Sequence, residues 1–99
     1  MVGVSSSGPS GETGNWKGYS LTTHGTPNTE SNTAFDQPIY HILIINDGAS
    51  DILFGFGVTT ATKSFTVKAG ETLACDIVHK TLYYKSAGAT VPFRVLVIW

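Results

Sequence analysis

The side chains of this 99-residue chain that could do chemistry near neutral pH are three histidines, one cysteine, seven acids and a run of serines near the start. His24, His41 and His79 stand at neither H-x-H nor H-x₃-H spacing, and no cysteine pair accompanies them, so no metal site is expected. His41 lies in an apolar run and reads as a packed or rim residue held by one hydrogen bond. Asp47 and Asp51 flank a turn, Glu71 caps another and Asp76 falls in a strand. Glycoside hydrolysis needs two carboxylates held across a cleft, and nothing in this spacing pairs any two. The loop from Asn46 to Asp51 is rich in oxygen ligands but lacks the regular array with a distal Glu that holds Ca²⁺. Ser5, Ser6 and Ser7 belong to a low-complexity tract, not to a strained nucleophile elbow. Gly55-Phe56-Gly57 has no lysine and no helix after it, which leaves backbone crowding, not phosphate binding, as the use of its glycines. Cys75 has no intrachain partner and reads as a buried, inert thiol. No catalytic residue, cofactor or metal is expected, and the chain is read as non-enzymatic.

Two further features concern partners. Tyr83 and Tyr84 are adjacent, so in a strand they point to opposite faces, one into the core and one outward. A stacking platform for sugars or bases is the sharper use of such a pair, and a core or subunit contact the plainer one. Six basic and seven acidic residues give a formal charge of −1, with the signs interspersed, so neither nucleic acid nor an anionic membrane is an expected partner. The start of the chain has no basic segment followed by an apolar one, and the apolar runs 42–45 and 95–99 are far below the roughly 20 residues that cross a bilayer. A soluble protein without a targeting segment is expected.

The elements that position these residues are strands. From Ile39 the sequence turns β-branched and aromatic, Ile-Tyr-His-Ile-Leu-Ile-Ile, and ends on the turn residues 46–50. Ile52, Phe54 and Phe56 alternate in the next segment. Ser64 to Val67 is followed by Lys68-Ala69-Gly70-Glu71, which fits a type II turn because Gly70 can take the positive φ at its third position. Thr72 to Ile77, Thr81 to Ser86 and Pro92 to Trp99 complete six strands, with Val78-His79-Lys80 read as a link. Turn signals at this spacing, with no helical stripe, predict a single all-β domain, an antiparallel β-sandwich or small barrel, over residues 39–99.

Residues 1–38 are mostly Gly, Ser, Thr, Asn and Pro, and read as an extended polar N-terminal arm. Trp16, Tyr19, Leu21 and Phe35 stand out in it as anchors that bind a partner; four side chains cannot offset the backbone entropy of ordering the arm, so it is expected to be mobile alone unless strand pairing or a partner surface supplies the remainder. The final strand is apolar on both faces, with Phe93, Val95, Val97 and Trp99 on one and Leu96 and Ile98 on the other. A chain this short has few layers to cover both, so Leu96 and Ile98, with Tyr84, are expected at a subunit interface in a homo-oligomer.

The segments Ile-Ile-Asn-Asp-Gly-Ala at 44–49, Phe-Thr-Val-Lys-Ala-Gly-Glu-Thr-Leu at 65–73, Thr-Leu-Tyr-Tyr-Lys-Ser at 81–86 and Phe-Arg-Val-Leu-Val-Ile-Trp at 93–99 resemble the small β-sandwich structural proteins of tailed-bacteriophage virions. The resemblance covers about the last 60 residues, and turns and strands carry it. It implies a protein without chemistry, made in the host cytoplasm and located on the virion, most specifically a decoration or cement protein on the capsid surface whose partner is the major capsid protein. The alternative it implies is a tail or head-fibre component that binds a carbohydrate or receptor.

Overall fold

A computed structural model describes residues 15–99, apart from the side chain of Ile77. The described chain is all-β, with six strands: β1 (Trp16–Thr22), β2 (Ser31–Asn46), β3 (Ile52–Phe56), β4 (Phe65–Val67), β5 (Thr72–Ser86) and β6 (Pro92–Ile98). They form one antiparallel sheet in the order β1-β6-β2-β5-β3-β4.

That sheet is folded over on itself. Phe54 of β3 and Phe93 of β6 meet edge to face at 5.3 Å between ring centroids. Three strand spacings separate β6 from β3, which in a flat sheet is about 14 Å. The two rings touch because β2 and β5 are long enough to pass through both layers. The distal halves, Ser31 to Ala34 on Thr81 to Tyr84, belong to one layer with β3 and β4. The other halves, Ile39 to Ile45 on Thr72 to His79, belong to a second layer with β6 and β1.

The bend between the layers is built from two register shifts in this pair. Between Ala34 and Ile39 four residues of β2, Phe35 to Pro38, stand against Lys80 alone on β5. Between Ile39 and His41 the excess is reversed, Tyr40 facing two residues of β5. Pro38 is tolerated inside a long strand because it falls in the first of these bulges, where no ladder N–H is demanded of it.

Between the layers lie Ile42 and Ile44 of β2, Ile52 and Phe54 of β3, Leu82 and Tyr84 of β5, and Phe93, Val95 and Val97 of β6, all buried. The β-branched and aromatic alternation of these strands generates the core directly. Trp99 is half-buried at its margin, so the last side chain is less enclosed than its position on the Phe93 face suggests.

Two turns follow the sequence reading. Glu71 N–H donates to the Lys68 carbonyl at 2.9 Å while Gly70 takes φ +76°. A Cβ at Gly55 would collide with the Val58 carbonyl, so that glycine serves close backbone approach. Asn46 ties the 46–51 loop to the core: its side-chain amide donates to the carbonyls of Ser50 and Val67 at 2.9 and 3.1 Å, and its Oδ1 accepts from Gly48 N–H.

The arm boundary at residue 38 is corrected by this arrangement. β1 lies fully paired along β6, and β2 runs without interruption across positions 38 and 39. Backbone pairing, not a partner surface, supplies what four side chains alone did not. The first 14 residues of the expected arm, Ser5 to Ser7 among them, lie outside the described residues. The link expected at Val78-His79-Lys80 is likewise part of a continuous β5.

Two substitutions test the core. Phe93→Ala removes the ring that packs on both Phe54 and Tyr84 and is expected to cost about 3–5 kcal/mol in urea unfolding. Asn46→Leu strands two buried carbonyls and is expected to cost roughly 2–4 kcal/mol, as one to three is typical for each unpaired group and part is regained by solvent. A loss under 1 kcal/mol for either would contradict these roles.

Candidate functional site

Cross-strand register places the outward side chains of the β1-β6-β2-β5 layer in three rows. Trp16, Ile98, His41 and Asp76 form the first; Gly18, Leu96, Leu43 and Ala74 the second; Ser20, Arg94, Ile45 and Thr72 the third. Four aliphatic side chains from the two central strands therefore stand together on the outside of the layer. Leu43, Ile45, Leu96 and Ile98 are each half-buried, by one another and by the polar side chains around them.

The ends of this band are polar, each closed by a hydrogen-bonded side-chain pair. At one end the Arg94 guanidinium donates to both carboxylate oxygens of Asp47, at 2.7 and 2.9 Å. Those hydrogen bonds hold the Asp47 carboxyl below its ordinary value and push the guanidinium further up. At the other end His41 Nδ1 lies 2.5 Å from Asp76 Oδ1. An apolar centre with a polar rim is the anatomy of a protein-binding surface.

Within the band Gly18 has no side chain to contribute, and a Cβ built there would meet nothing within 4 Å. The result is an open depression of about 310 Å³, lined by Gly18, Ser20, Leu43, Ile45, Arg94 and Leu96 along with Tyr19 and Val95. Beside it, at the start of β1, Trp16 is 68% exposed.

The expected partner-binding and interface residues separate into two groups. Trp16, Leu96 and Ile98 are on this outer face. Phe35 is 3% exposed and Tyr84 4%, both inside the chain's own core, which corrects their assignment to a partner. Phe35 turns inward because the bulge at 35–38 directs it between Tyr19 and His79. Tyr84 packs on Phe54 and Phe93, and its hydroxyl is 2.7 Å from Thr33 Oγ1, so of the tyrosine pair only Tyr83 faces outward. Tyr19 and Leu21 are half-buried against the core from β1.

The remaining reactive groups are occupied or shielded. His24 Nδ1 accepts from Thr26 N–H. Cys75 packs against the core, and burial, with the charge of Asp76 beside it, pushes its thiol up, away from thiolate chemistry. Asp51 accepts from Ala69 N–H and Glu71 from Lys68 N–H, each bracing a loop. Glu30, which sequence reasoning passes over, accepts from both Thr60 N–H and Thr60 Oγ1 and ties the 57–63 loop to the start of β2. Gly18 is passed over too; its only signal is a glycine inside an alternating segment, a known mark of close approach by another group.

His79 is the exception. It is buried at the bend, its ring 6.1 Å from that of Phe35 and 5.3 Å from that of Phe56, and neither ring nitrogen has a hydrogen-bond partner. Burial lowers its pKa from the ordinary histidine value, and the nearby Thr81 backbone offsets part of that.

No family model matches the chain, and no curated protein matches it. Among solved structures it is similar to the crystal structure of PirA, at 20% identity with a TM-score of 0.40, covering 89% of this chain and 96% of that one. It is also similar to the cupin domain of Drosophila melanogaster CENP-C, at 9% identity with a TM-score of 0.39, covering 85% of this chain and 58% of that one.

The His79 environment gives a pH dependence of known sign. The unfolded chain takes up a proton near pH 6.5 while the folded imidazole resists it. The contribution of His79 to stability is therefore level above about pH 6.5 and is lost as pH falls from there through the lower folded value. Thermal unfolding from pH 7.5 to 5 is expected to show a steeper acid loss for the wild type than for His79→Phe, and equal slopes would rule the linkage out.

Proposed function

We propose that this chain is a non-enzymatic structural protein of a tailed-bacteriophage virion, a capsid decoration protein that binds the major capsid lattice through the outer face of the β1-β6-β2-β5 layer. The observation that carries the proposal is the aliphatic band of Leu43, Ile45, Leu96 and Ile98, bordered by the Arg94–Asp47 and His41–Asp76 pairs. Docking this band removes apolar surface from water at roughly 25 cal/mol per Å². The rim pairs contribute orientation more than affinity, since they are already solvent-exposed and hydrogen-bonded to each other. Many copies bridging neighbouring capsid subunits would each add a modest free energy, and their sum would resist separation of the shell. The resemblance of the strand and turn segments to virion β-sandwich proteins supports the same role.

Compared with the sequence expectation, the binding element moves from an arm to a sheet face, because the aromatic residues of the arm are partly consumed by the core. A second role, recognition of a glycan at a fibre or tail tip, draws support from Trp16, an exposed indole beside an open depression.

The test is co-sedimentation of the purified chain with shells assembled from tailed-phage major capsid protein. Leu43→Glu and Leu96→Glu are expected to lower capsid occupancy at least tenfold while moving the melting temperature by only a few degrees, since both side chains are half-exposed. Wild-type occupancy by both variants, or density for the chain only in the tail by electron cryomicroscopy of the virion, would refute the decoration role. Binding on a glycan array that is lost with Trp16→Ala would favour the second role.

A further inference from the structure

Among the described residues, the backbone of β1 is paired on one side only. Asn15 C=O accepts from Trp99 N–H at 3.0 Å, and Thr23 N–H donates to the Val91 carbonyl at 3.0 Å. The register between these two points is unbroken. Odd-numbered residues therefore direct their backbone groups at β6, and Trp16, Gly18, Ser20 and Thr22 direct theirs away from it. Among the described residues, β6 is the only strand beside β1.

An open edge of this kind is usually shortened, kinked or charged to prevent pairing with another chain. β1 has none of these protections: it is seven residues long, has no proline and no bulge, and its one charge is Lys17. The opposite edge, β4, is only three residues long and is followed at once by Lys68.

The strand is also complementary to itself. The depression at Gly18 and the exposed indole of Trp16 are two residues apart on the same face of the same strand. In an antiparallel pair centred on Gly18, the Gly18 residues of two copies form a hydrogen-bonded pair. Trp16 of each then stands opposite Ser20 of the other and diagonal to its Gly18, within reach of a large aromatic side chain. In that register the indole of each copy can extend over the other's Gly18 towards Leu96. Charge is complementary in this register as well. Lys17 stands opposite the partner's Tyr19, and Lys17 Nζ already lies 5.0 Å from the ring centroid of its own Tyr19. No like charges face one another.

We propose that β1 pairs with β1 of a second copy of this chain about a two-fold axis at Gly18, with Trp16 of each copy filling the Gly18 depression of the other. The pairing joins two β1-β6-β2-β5 layers into one continuous sheet and brings their aliphatic bands onto a single surface. It goes beyond the capsid-docking role and does not depend on it, because it is read in solution without any capsid protein.

Sedimentation velocity of the full chain over a range of concentrations tests the pairing. A monomer–dimer equilibrium is expected. Ser20→Pro deletes an N–H aimed only at the open edge and leaves the β1–β6 ladder intact, so a folded monomer with unchanged circular dichroism is expected. Trp16→Ala is expected to raise the dimer dissociation constant about 30-fold, the effect of losing a buried tryptophan anchor. The register is tested in a Cys75→Ala background, where oxidised Gly18→Cys is expected to form a cross-linked dimer and Thr22→Cys is not. A wild-type monomer at hundreds of micromolar, a dimer that survives Ser20→Pro, or preferential cross-linking through position 22 would overturn the proposal.

Discussion

The sheet of this protein becomes a closed core only because β2 and β5 bend together. Every strand other than these two belongs to one layer, so the enclosure of Phe54 by Phe93 depends on a single pair of strands turning through the same corner. The corner is made of bulges of opposite sense, the larger on β2 and the smaller on β5, which leave a net register shift of two residues, and it is filled by Phe35, Ile39 and His79, all buried. A hinge of regular strand would splay the layers or shift every side chain beyond it to the wrong face. The cost of the arrangement is an imidazole at the corner with neither nitrogen satisfied, which ties the closure of the core to proton concentration.

Folding the sheet in this way also decides what the protein offers to its surroundings. The central strands of one layer, β6 and the second half of β2, are apolar on both faces, and the described residues cover only one of them. The other face carries the aliphatic band, and hydrogen-bonded polar pairs, Arg94 with Asp47 and His41 with Asp76, stand at its two ends. Apolar surface with a neutral polar frame suits attachment to another protein better than it suits catalysis, which needs polar groups left free and convergent. Among the described residues, several polar side chains brace loops. Glu30 grips Thr60, Asp51 and Glu71 hold the turn at 68–71, and Asn46 spends its amide on three backbone groups.

Much of the fold is legible in the order of the residues. The alternation of Ile52 and Phe54, the turn at Gly70, the crowding at Gly55 and the two apolar faces of the last strand are local patterns, and each leads to the correct element. The outer positions of Leu96 and Ile98 follow from the same alternation. The separation of residues 16–38 from the domain is where local patterns mislead. Trp-Lys-Gly-Tyr-Ser-Leu-Thr is a weak strand by composition, and it becomes one by pairing with Pro92 to Ile98 at the far end of the chain. Likewise nothing local marks Val78-His79-Lys80 as continuous strand, because its pairing partner is a bulged stretch of β2 that itself contains proline.

Residue order is enough to set the class of the protein: strand after strand, separated by turns whose residues permit few alternatives, with a core written in alternating aliphatic and aromatic positions. It does not say which of two apolar faces is enclosed, that Phe35 and Tyr84 serve the interior, or that β1 stands at the edge of the sheet among the described residues; those features belong to the assembled fold. The division follows the range of the interactions. Alternation and turn chemistry act between neighbours in the chain, whereas strand order, register and the bend arise from pairings between segments far apart in sequence, whose energies depend on the assembled neighbours on either side.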